Sequence, residues 1–486
     1  MLYRHYNSGM RQQIDALRHG FSAHKLDLDL ALLLSILFIA MAYLLQFTFY
    51  PAGAMGGDSA SFGAGQARDW DLLSFTGESL RNWPPVLLYL IFSSDVAKVF
   101  FQFVISFSAV MIMLIQINSQ FKGKTRFLLI ILFSCLITTP QIITWNSVLL
   151  SESILLSVTI LFMAFLRTFV LSGGAVAYWP LLISSYLWCI LKTTNVAVLV
   201  LLIFSLLPLI SNRVFKMRWQ KRTLLRLGGF IAIGGILLVT LINQPNQEFN
   251  REINYRTNAA IAVLADVNPR ASVLHAELAK VTEVRCLEVG NPKSYEFYAS
   301  KLGGECQEAK IWLSENFYSW YAKFLLAFPQ ETIQLGAVGF IAGNTPFSLY
   351  APSLNLLPKP VQDVFFGERN FALRSFGFQP HGEYEVEEYD RSGMEVTVPI
   401  LVWLGIAYSL LLILTSQKRL RGVLRVKAVK LDFILVTSGV VGVFINSIAV
   451  PTEWFRENIY FFIIIYISLI YLIGDIRKEL GKKPNT

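Results

Sequence analysis

Long apolar runs are the feature of this sequence that most restricts its fold. The first is Leu28–Tyr50, and comparable runs recur along the chain. A helix needs about 20 apolar residues to cross the hydrocarbon core of a bilayer. Only 15% of the residues are charged, against about 25% in soluble globular proteins. The sequence therefore predicts an all-α polytopic membrane protein.

We predict about ten transmembrane helices from these runs. A single helix over 86–117 would bury Asp95 and Lys98 in mid-span, which is costly. We therefore expect a break, with a short interfacial piece Val86–Phe92 and a span that starts near Val96. The predicted spans cover residues 28–50, 96–117, 127–145, 152–171, 175–191, 195–211, 227–243, 396–415, 431–450 and 458–474.

Lysines and arginines cluster in alternate connections between these spans. With both termini in the cytoplasm, the cytoplasmic segments carry 24 of the 42 basic residues. Most of the others belong to the long segment 244–395, and long translocated segments count little in the positive-inside rule. We therefore predict a bacterial inner-membrane protein with the N-in, C-in orientation. The net charge of +9 reflects this orientation and not a nucleic-acid partner.

The predicted spans divide the chain into five regions, and the long outer segment has normal polarity. We expect that segment to be mostly helical or α+β. The regions are a cytoplasmic N-terminal segment (1–27), a transmembrane core (28–243) with the first outer loop (51–95), a periplasmic segment (244–395), C-terminal transmembrane helices (396–474) and a cytoplasmic tail (475–486).

Two of the four cysteines, Cys286 and Cys306, lie in the predicted periplasmic segment. An oxidising compartment favours a disulfide between them, and the alternative is two free thiols that never meet. The chain lacks a Walker loop, a CxxC pair and an HExxH motif. These absences argue against ATP-driven transport within this chain and against a zinc site.

The first outer loop holds Asp58 directly after Gly56 and Gly57. A carboxylate just beyond a membrane helix can accept a proton from a hydroxyl group at the membrane–water boundary or hold a metal ion. The alternative is that Asp58 caps a short helix, since Asp is a preferred N-cap residue.

Glu152 opens the apolar run 152–171 at the outer edge of the membrane. An ionisable group at that depth is costly unless it faces a cavity or a partner, so it indicates function. The N-terminus of a helix also favours Glu, which is an equally good structural explanation.

Cations are predicted at the same outer face, and two of them follow or precede predicted spans. If they converge, they can bind one anionic group such as a lipid phosphate. Each one is explained singly by snorkelling, the usual behaviour of Lys and Arg at helix ends. These cations are Arg81, Lys98, Lys192 and Arg456.

An ordered series of short motifs resembles the C-type (GT-C) membrane glycosyltransferases. Many relatives have two adjacent acidic residues in the first loop, whereas Asp58 is followed here by Ser59. The motifs are Gly57-Asp58-Ser59, Arg81-Asn82-Trp83-Pro84, Ser151-Glu152-Ser153, Leu191-Lys192-Thr193-Thr194, Phe328-Pro329 after Trp320-Tyr321, and Arg456 before the final span.

The resemblance implies a GT-C-like fold and transfer of a sugar from a polyprenyl-phosphate donor at the outer face. Asp58 would be the general base on the acceptor hydroxyl, and transfer would proceed with inversion. Glu152 would orient the acceptor or the base, and Arg456, with Lys192 or Arg81, would stabilise the leaving phosphate. The acceptor would be a glycan, a lipid or a protein at the periplasmic face, and membrane lipid would surround the enzyme. No cofactor is required, and a divalent cation is not indicated because one carboxylate makes a poor divalent site.

Other protein classes remain open on the sequence. One is a lipid or polysaccharide transporter or flippase, although transporters often show internal repeats and we find none here. Another is a polysaccharide polymerase or O-antigen ligase, which would depend more on arginines and histidines in late outer loops. The last is a non-catalytic membrane assembly protein whose outer segment binds a partner.

Overall fold

The computed structural model of the chain describes the parts of the sequence that form most of the N-terminal core and the last two helices. Within these residues the regular structure is helical and no strand is present, which confirms the all-α prediction there. The described residues are 30–49, 91–92, 94–147, 149, 151–172, 175–192, 194–214, 426–449 and 454–480, with scattered residues between 316 and 336.

The predicted spans 227–243 and 396–415 lie outside the described residues, as do residues 50–90 and nearly all of 244–395. A short 3-10 turn, Thr144–Ser147, follows the fourth described helix. The described helices are α1 Leu30–Phe49, α2 Asp95–Gln120, α3 Gly123–Ile137, α4 Pro140–Ile143, α5 Ser151–Ser172, α6 Ala175–Leu191, α7 Asn195–Val214, α8 Lys427–Ala449 and α9 Trp454–Leu480.

Five of the described helices (α1, α2, α5, α8 and α9) are long and apolar enough to cross a membrane. Helices α6 and α7 contain shorter apolar segments. On α1, Leu30, Met41 and Leu44 each expose more than half of their surface. Since a row of exposed apolar side chains is stable against lipid and not against water, these helices identify a membrane protein.

The helix α2 begins where the sequence predicts a break. Ser94 has an extended backbone, and its hydroxyl accepts a hydrogen bond from the Ala97 N–H at 3.2 Å. A serine in this geometry is an N-cap that satisfies one of the free amides of the first turn. The prediction that the span starts near Val96 is therefore confirmed.

The stretch predicted as one span over 127–145 is not a single helix, and this prediction was wrong. Helix α3 ends at Ile137, and the hydroxyls of Thr138 and Thr139 donate to carbonyl oxygens of the preceding turn. Pro140, which has no N–H to extend the ladder of α3, begins α4. The break coincides with Thr138, Thr139, Pro140 and Gln141, which interrupt the apolar run in the sequence.

Helices α5 and α6 run antiparallel. Phe162 stacks on Trp188 with 5.0 Å between ring centroids, and Phe169 contacts Tyr178. The contacting positions advance in opposite directions along the two helices, so the start of α5 lies beside the end of α6. Trp188 also contacts Phe461 in the second turn of α9, so α9 starts at the same end.

The same reasoning assigns every long described helix to one of two directions. Tyr43 meets Ser106, and Asn446 meets Asn458. Helices α1, α3, α6 and α8 finish at one end of the bundle, and α2, α5, α7 and α9 begin there. We call this end the Glu152 end. The opposite end is the Arg167 end.

Helix α9 lies at the centre of the described bundle, packed against α3, α5 and α8. Glycines permit these close approaches. A Cβ atom at Gly442 of α8 would lie 2.5 Å from the ring of Phe461, and one at Gly474 would lie 2.4 Å from Leu129 of α3. Small residues at such interfaces let apolar helices associate inside a lipid bilayer.

Candidate functional site

Glu152 is buried in the first turn of α5, with 2% of its surface exposed. The hydroxyl of Ser151 donates to Glu152 Oε2 at 3.0 Å. The next hydroxyl, that of Ser153, donates to the backbone carbonyl of Trp145 at 2.6 Å. The first turn of α5 is thereby tied to the 3-10 turn that precedes it, and the carboxylate is fixed at the Glu152 end.

Helices α1 and α2 reach the same polar region. The Gln46 side-chain amide donates to the Ser147 hydroxyl at 3.1 Å, and the hydroxyls of Tyr43 and Ser106 lie 2.8 Å apart. Gln46 is close to the C-terminus of α1, at Phe49, after which the first outer loop begins. Both attachment points of that loop, on α1 and α2, are therefore at the end of the bundle that holds Glu152.

The connection between α6 and α7 closes another side of the Glu152 end. Lys192, directly after α6, is half-buried, and Asn195 is fully buried at the start of α7. The Asn195 amide donates to the Trp188 carbonyl at 2.8 Å. The hydroxyls of Thr194 and Tyr460 lie 3.4 Å apart, which joins this connection to the first turns of α9.

Arg456 lies in the first turn of α9, also at the Glu152 end, and its side chain is outside the described residues. Lys98, another of the predicted cations, is buried in the first turn of α2. Its ammonium group lies 2.8 Å from the carboxylate of Asp95, and 58% of the Asp95 side chain is exposed. Lys98 therefore pairs with an acid of its own helix.

The remaining predicted site residues fall outside the described residues. These are Asp58, Arg81, Cys286 and Cys306. The structure thus brings Glu152, Lys98, Lys192 and the backbone of Arg456 to one end of the bundle, and the roles given to all these residues stay predictions.

A second polar centre lies at the opposite end of the bundle, and sequence reasoning missed it. Arg167 of α5 is 2% exposed. Its Nη1 donates to Asp432 of α8 and its Nη2 donates to Asp475 of α9. Its Nε donates to Gln120 Oε1 at 3.0 Å. We call Arg167, Asp432 and Asp475 the Arg167 triad.

Aromatic and amide groups complete the surroundings of the triad. The Tyr471 ring centroid lies 3.9 Å from the guanidinium carbon of Arg167, a cation–π contact that helps to hold the cation away from water. The Tyr471 hydroxyl donates to Gln116 Oε1 at 3.0 Å. The Gln116 amide donates in turn to the Ala164 carbonyl at 2.9 Å and to Thr168 at 2.8 Å. The network joins α2, α5 and α9.

The triad lies near one end of three apolar helices. Arg167 is five residues before the end of α5, Asp432 five residues after the start of α8, and Asp475 five residues before the end of α9. At 1.5 Å per residue this is about 8 Å from each helix end. Buried ionisable groups in apolar helices are expensive unless they pair with one another, and they often carry function.

The orientation rule concealed this centre. In the count for the positive-inside rule, Arg167 is a basic residue of the cytoplasmic side, although it falls inside the predicted span 152–171. Asp432 likewise falls inside the span 431–450, and Asp475 directly follows the span 458–474. Charges of opposite sign inside apolar runs were the available signal, since they need partners in the membrane. In the sequence, Arg167 is separated from Asp432 by 265 residues and from Asp475 by 308 residues.

Among the described residues, no group of three or more His, Cys, Asp or Glu side chains is arranged to hold a metal ion. Comparison with protein-family models, with curated proteins and with solved structures finds no match to this chain.

Proposed function

We propose that this chain is a membrane glycosyltransferase that moves a sugar from a polyprenyl-phosphate donor to an acceptor hydroxyl at the Glu152 end of the bundle. The observation that carries the proposal is the buried Glu152 at the end where both attachment points of the Asp58 loop lie. A loop anchored on both sides of this region can bring Asp58 to a substrate held beside Glu152.

The proposed mechanism is an inverting displacement. Asp58 accepts the proton of the acceptor hydroxyl as its oxygen attacks the anomeric carbon, and the lipid phosphate leaves. Arg456, with Lys192 or Arg81, balances the charge of the leaving phosphate. Glu152 orients the acceptor or the base, and the hydroxyl of Ser151 holds its carboxylate in place. We propose that this end faces the periplasm.

The burial of Glu152 supports this role over simple helix capping. An acid that serves only the N-terminal amides of a helix already gains about 0.3–1 kcal/mol in an exposed position, so that role does not require burial. A buried carboxylate loses hydration and must be compensated by the groups around it. The hydroxyl of Ser151, which donates to Glu152 Oε2 at 3.0 Å, is one such group.

The test is a transfer assay with the purified full chain and a panel of polyprenyl-phosphate sugars. We expect transfer or hydrolysis of at least one donor, and we expect Asp58→Asn to lower the rate about 100- to 10,000-fold, the usual contribution of a general base. Glu152→Gln, which preserves size and hydrogen bonding, should lower it as well. Glu479→Gln, at the opposite end of the bundle, is the matched control. An active Asp58→Asn protein would sink the assignment.

A lipid or polysaccharide transporter is the second candidate, and the Arg167 triad favours it. Intramembrane acids and bases are frequent in proteins that couple transport to ion movement. The two candidates separate in vesicles. A transporter moves a labelled lipid-linked sugar between leaflets with its glycosidic bond intact, whereas a transferase consumes the donor.

A further inference from the structure

The charges of the Arg167 triad do not balance. One guanidinium faces two carboxyl groups, Asp432 with none of its surface exposed and Asp475 with 6% exposed. If both acids are ionised, the triad holds one excess negative charge inside the apolar bundle. An uncompensated charge in a low-dielectric interior is strongly unfavourable, and such groups neutralise themselves by taking up a proton.

The geometry of the acids gives an independent indication. Asp432 Oδ2 is buried and receives no hydrogen bond from any described residue, although its other oxygen is bonded to Arg167. The Asp432 and Asp475 carboxyl groups bond to the two terminal nitrogens of the same guanidinium. Two ionised carboxylates held beside one cation repel each other, and a proton on Asp432 removes this repulsion.

We propose that the Arg167 triad is a proton-binding site in which the Asp432 carboxyl group holds one proton at neutral pH. The proton comes from water and bonds to a carboxylate oxygen, so no other group is oxidised, reduced or released. With it, the triad carries one positive and one negative charge and is neutral. This inference stands independently of the proposed transferase activity, which concerns the opposite end of the bundle.

Among the described residues, no further charged group pairs with the acids of the triad. Gln120 and Tyr471, which contact Arg167, are neutral donors and acceptors. Lys427 of α8 donates instead to the Val170 carbonyl at 2.5 Å. The other charged side chains near the Arg167 end have no described contact with the triad; they are Lys122, Lys124, Arg126, Lys430, Arg477, Lys478 and Glu479.

The site links proton binding to the packing of three helices. Arg167 belongs to α5, Asp432 to α8 and Asp475 to α9. The folded protein holds a proton that the unfolded carboxyl groups release at neutral pH. The free energy of unfolding must therefore fall as the pH rises above the range in which the unfolded carboxyl groups lose their protons, until the folded protein has lost its proton as well. Loss of the proton restores the excess negative charge and weakens the contact among the helices.

Infrared spectroscopy of the purified full chain tests the proposal directly. We expect the carbonyl band of a protonated carboxyl group at neutral pH in the unaltered protein. This band should be lost in Asp432→Asn and in Asp475→Asn, since the remaining acid then pairs alone with Arg167. It should persist in Glu479→Gln, which changes a carboxyl group one helical turn from Asp475. Absence of the band in the unaltered protein, or its survival in both Asn variants, would overturn the proposal.

Thermal unfolding provides a second readout that does not depend on the spectrum. Asparagine resembles a protonated aspartate, so each single Asn variant should unfold close to the unaltered protein and lose its decline in stability toward high pH. The double variant leaves Arg167 without a negative partner and should unfold at a clearly lower temperature. If each single variant is destabilised as much as the double variant, the triad holds no proton and the proposal is wrong.

Discussion

Arg167 is the residue whose position in the membrane depends most on its neighbours. A guanidinium at this depth is tolerated because acids from α8 and α9 bond to it and the Tyr471 ring covers it. The desolvation cost of such a group is comparable to the Coulomb energy it gains. The triad therefore contributes less to net stability than its bonds suggest, and its main effect is to specify which helices meet.

Removal of the cation should be far more damaging than removal of one acid. We expect Arg167→Gln to lower the free energy of unfolding by about 3–5 kcal/mol, because two buried carboxyl groups then lose their counter-ion. Thermal unfolding in detergent measures the loss. Lys124→Gln, an exposed cation at the same end, should change stability by less than about 0.5 kcal/mol. A small effect of Arg167→Gln would mean that the triad is not formed in the membrane.

At the scale of helices, the contact between α8 and α9 depends on two glycines of α8, which have no Cβ atom. Gly439 and Gly442 lie where a Cβ atom would meet Ile465 and Phe461 of α9 at under 3 Å. Phe461 is fully buried, so its ring has no room to withdraw. The close approach of these helices therefore requires glycine and not merely an apolar residue.

The expected result of Gly442→Ala is a loss of stability of about 1–3 kcal/mol, as found when extra carbon atoms are forced into a packed core. Alanine alone would favour a helix by about 1 kcal/mol over glycine, so a loss must come from the contact with Phe461. Phe433→Leu, at a position of α8 with 37% exposure, is the matched control. Increased stability of Gly442→Ala would contradict the described packing of α8 on α9.

Local patterns in the sequence were sufficient to predict the bounds of several helices and insufficient for others. The bounds 175–191 predicted for α6 coincide with the observed helix, and the break before α2 follows from the acid and base that a continuous span would bury. The break after Ile137 was missed although Thr138, Thr139, Pro140 and Gln141 mark it, because the predicted span was drawn across these residues to the isoleucines that follow. The triad was missed because pairing across hundreds of residues leaves no local pattern.

At the scale of the whole molecule, the two polar centres lie at opposite ends of one apolar bundle. Glu152 and Arg167 both belong to α5, separated by 15 positions, or about 22 Å along the helix. The alternation of helix directions follows from the described contacts. The sequence could not show which polar residues of each end meet, since that depends on the rotation of each helix about its axis.

The distribution of basic residues predicts that the Arg167 end faces the cytoplasm. Single cysteines in the full chain, with the native cysteines replaced, test this with a membrane-impermeant thiol reagent on intact cells. We expect Asp95→Cys, at the Glu152 end, to react at once, and Lys124→Cys to react only after the membrane is opened. Both wild-type side chains are exposed, so access is limited by the membrane alone. The reverse labelling pattern would invert the orientation and move the proposed active site to the cytoplasm.

The long separation between Arg167 and its acids has a consequence for biosynthesis. The ribosome makes Asp432 265 residues after Arg167, and Asp475 308 residues after it. Chain synthesis proceeds at about 5–20 residues per second, so roughly 15–60 seconds pass between the synthesis of Arg167 and that of its two partners. Until then α5 enters the bilayer with an unpaired cation near one end, where it must rely on lipid headgroups and water. Helices α8 and α9 supply the two carboxyl groups, so assembly of this bundle is completed by helices made long after those they join.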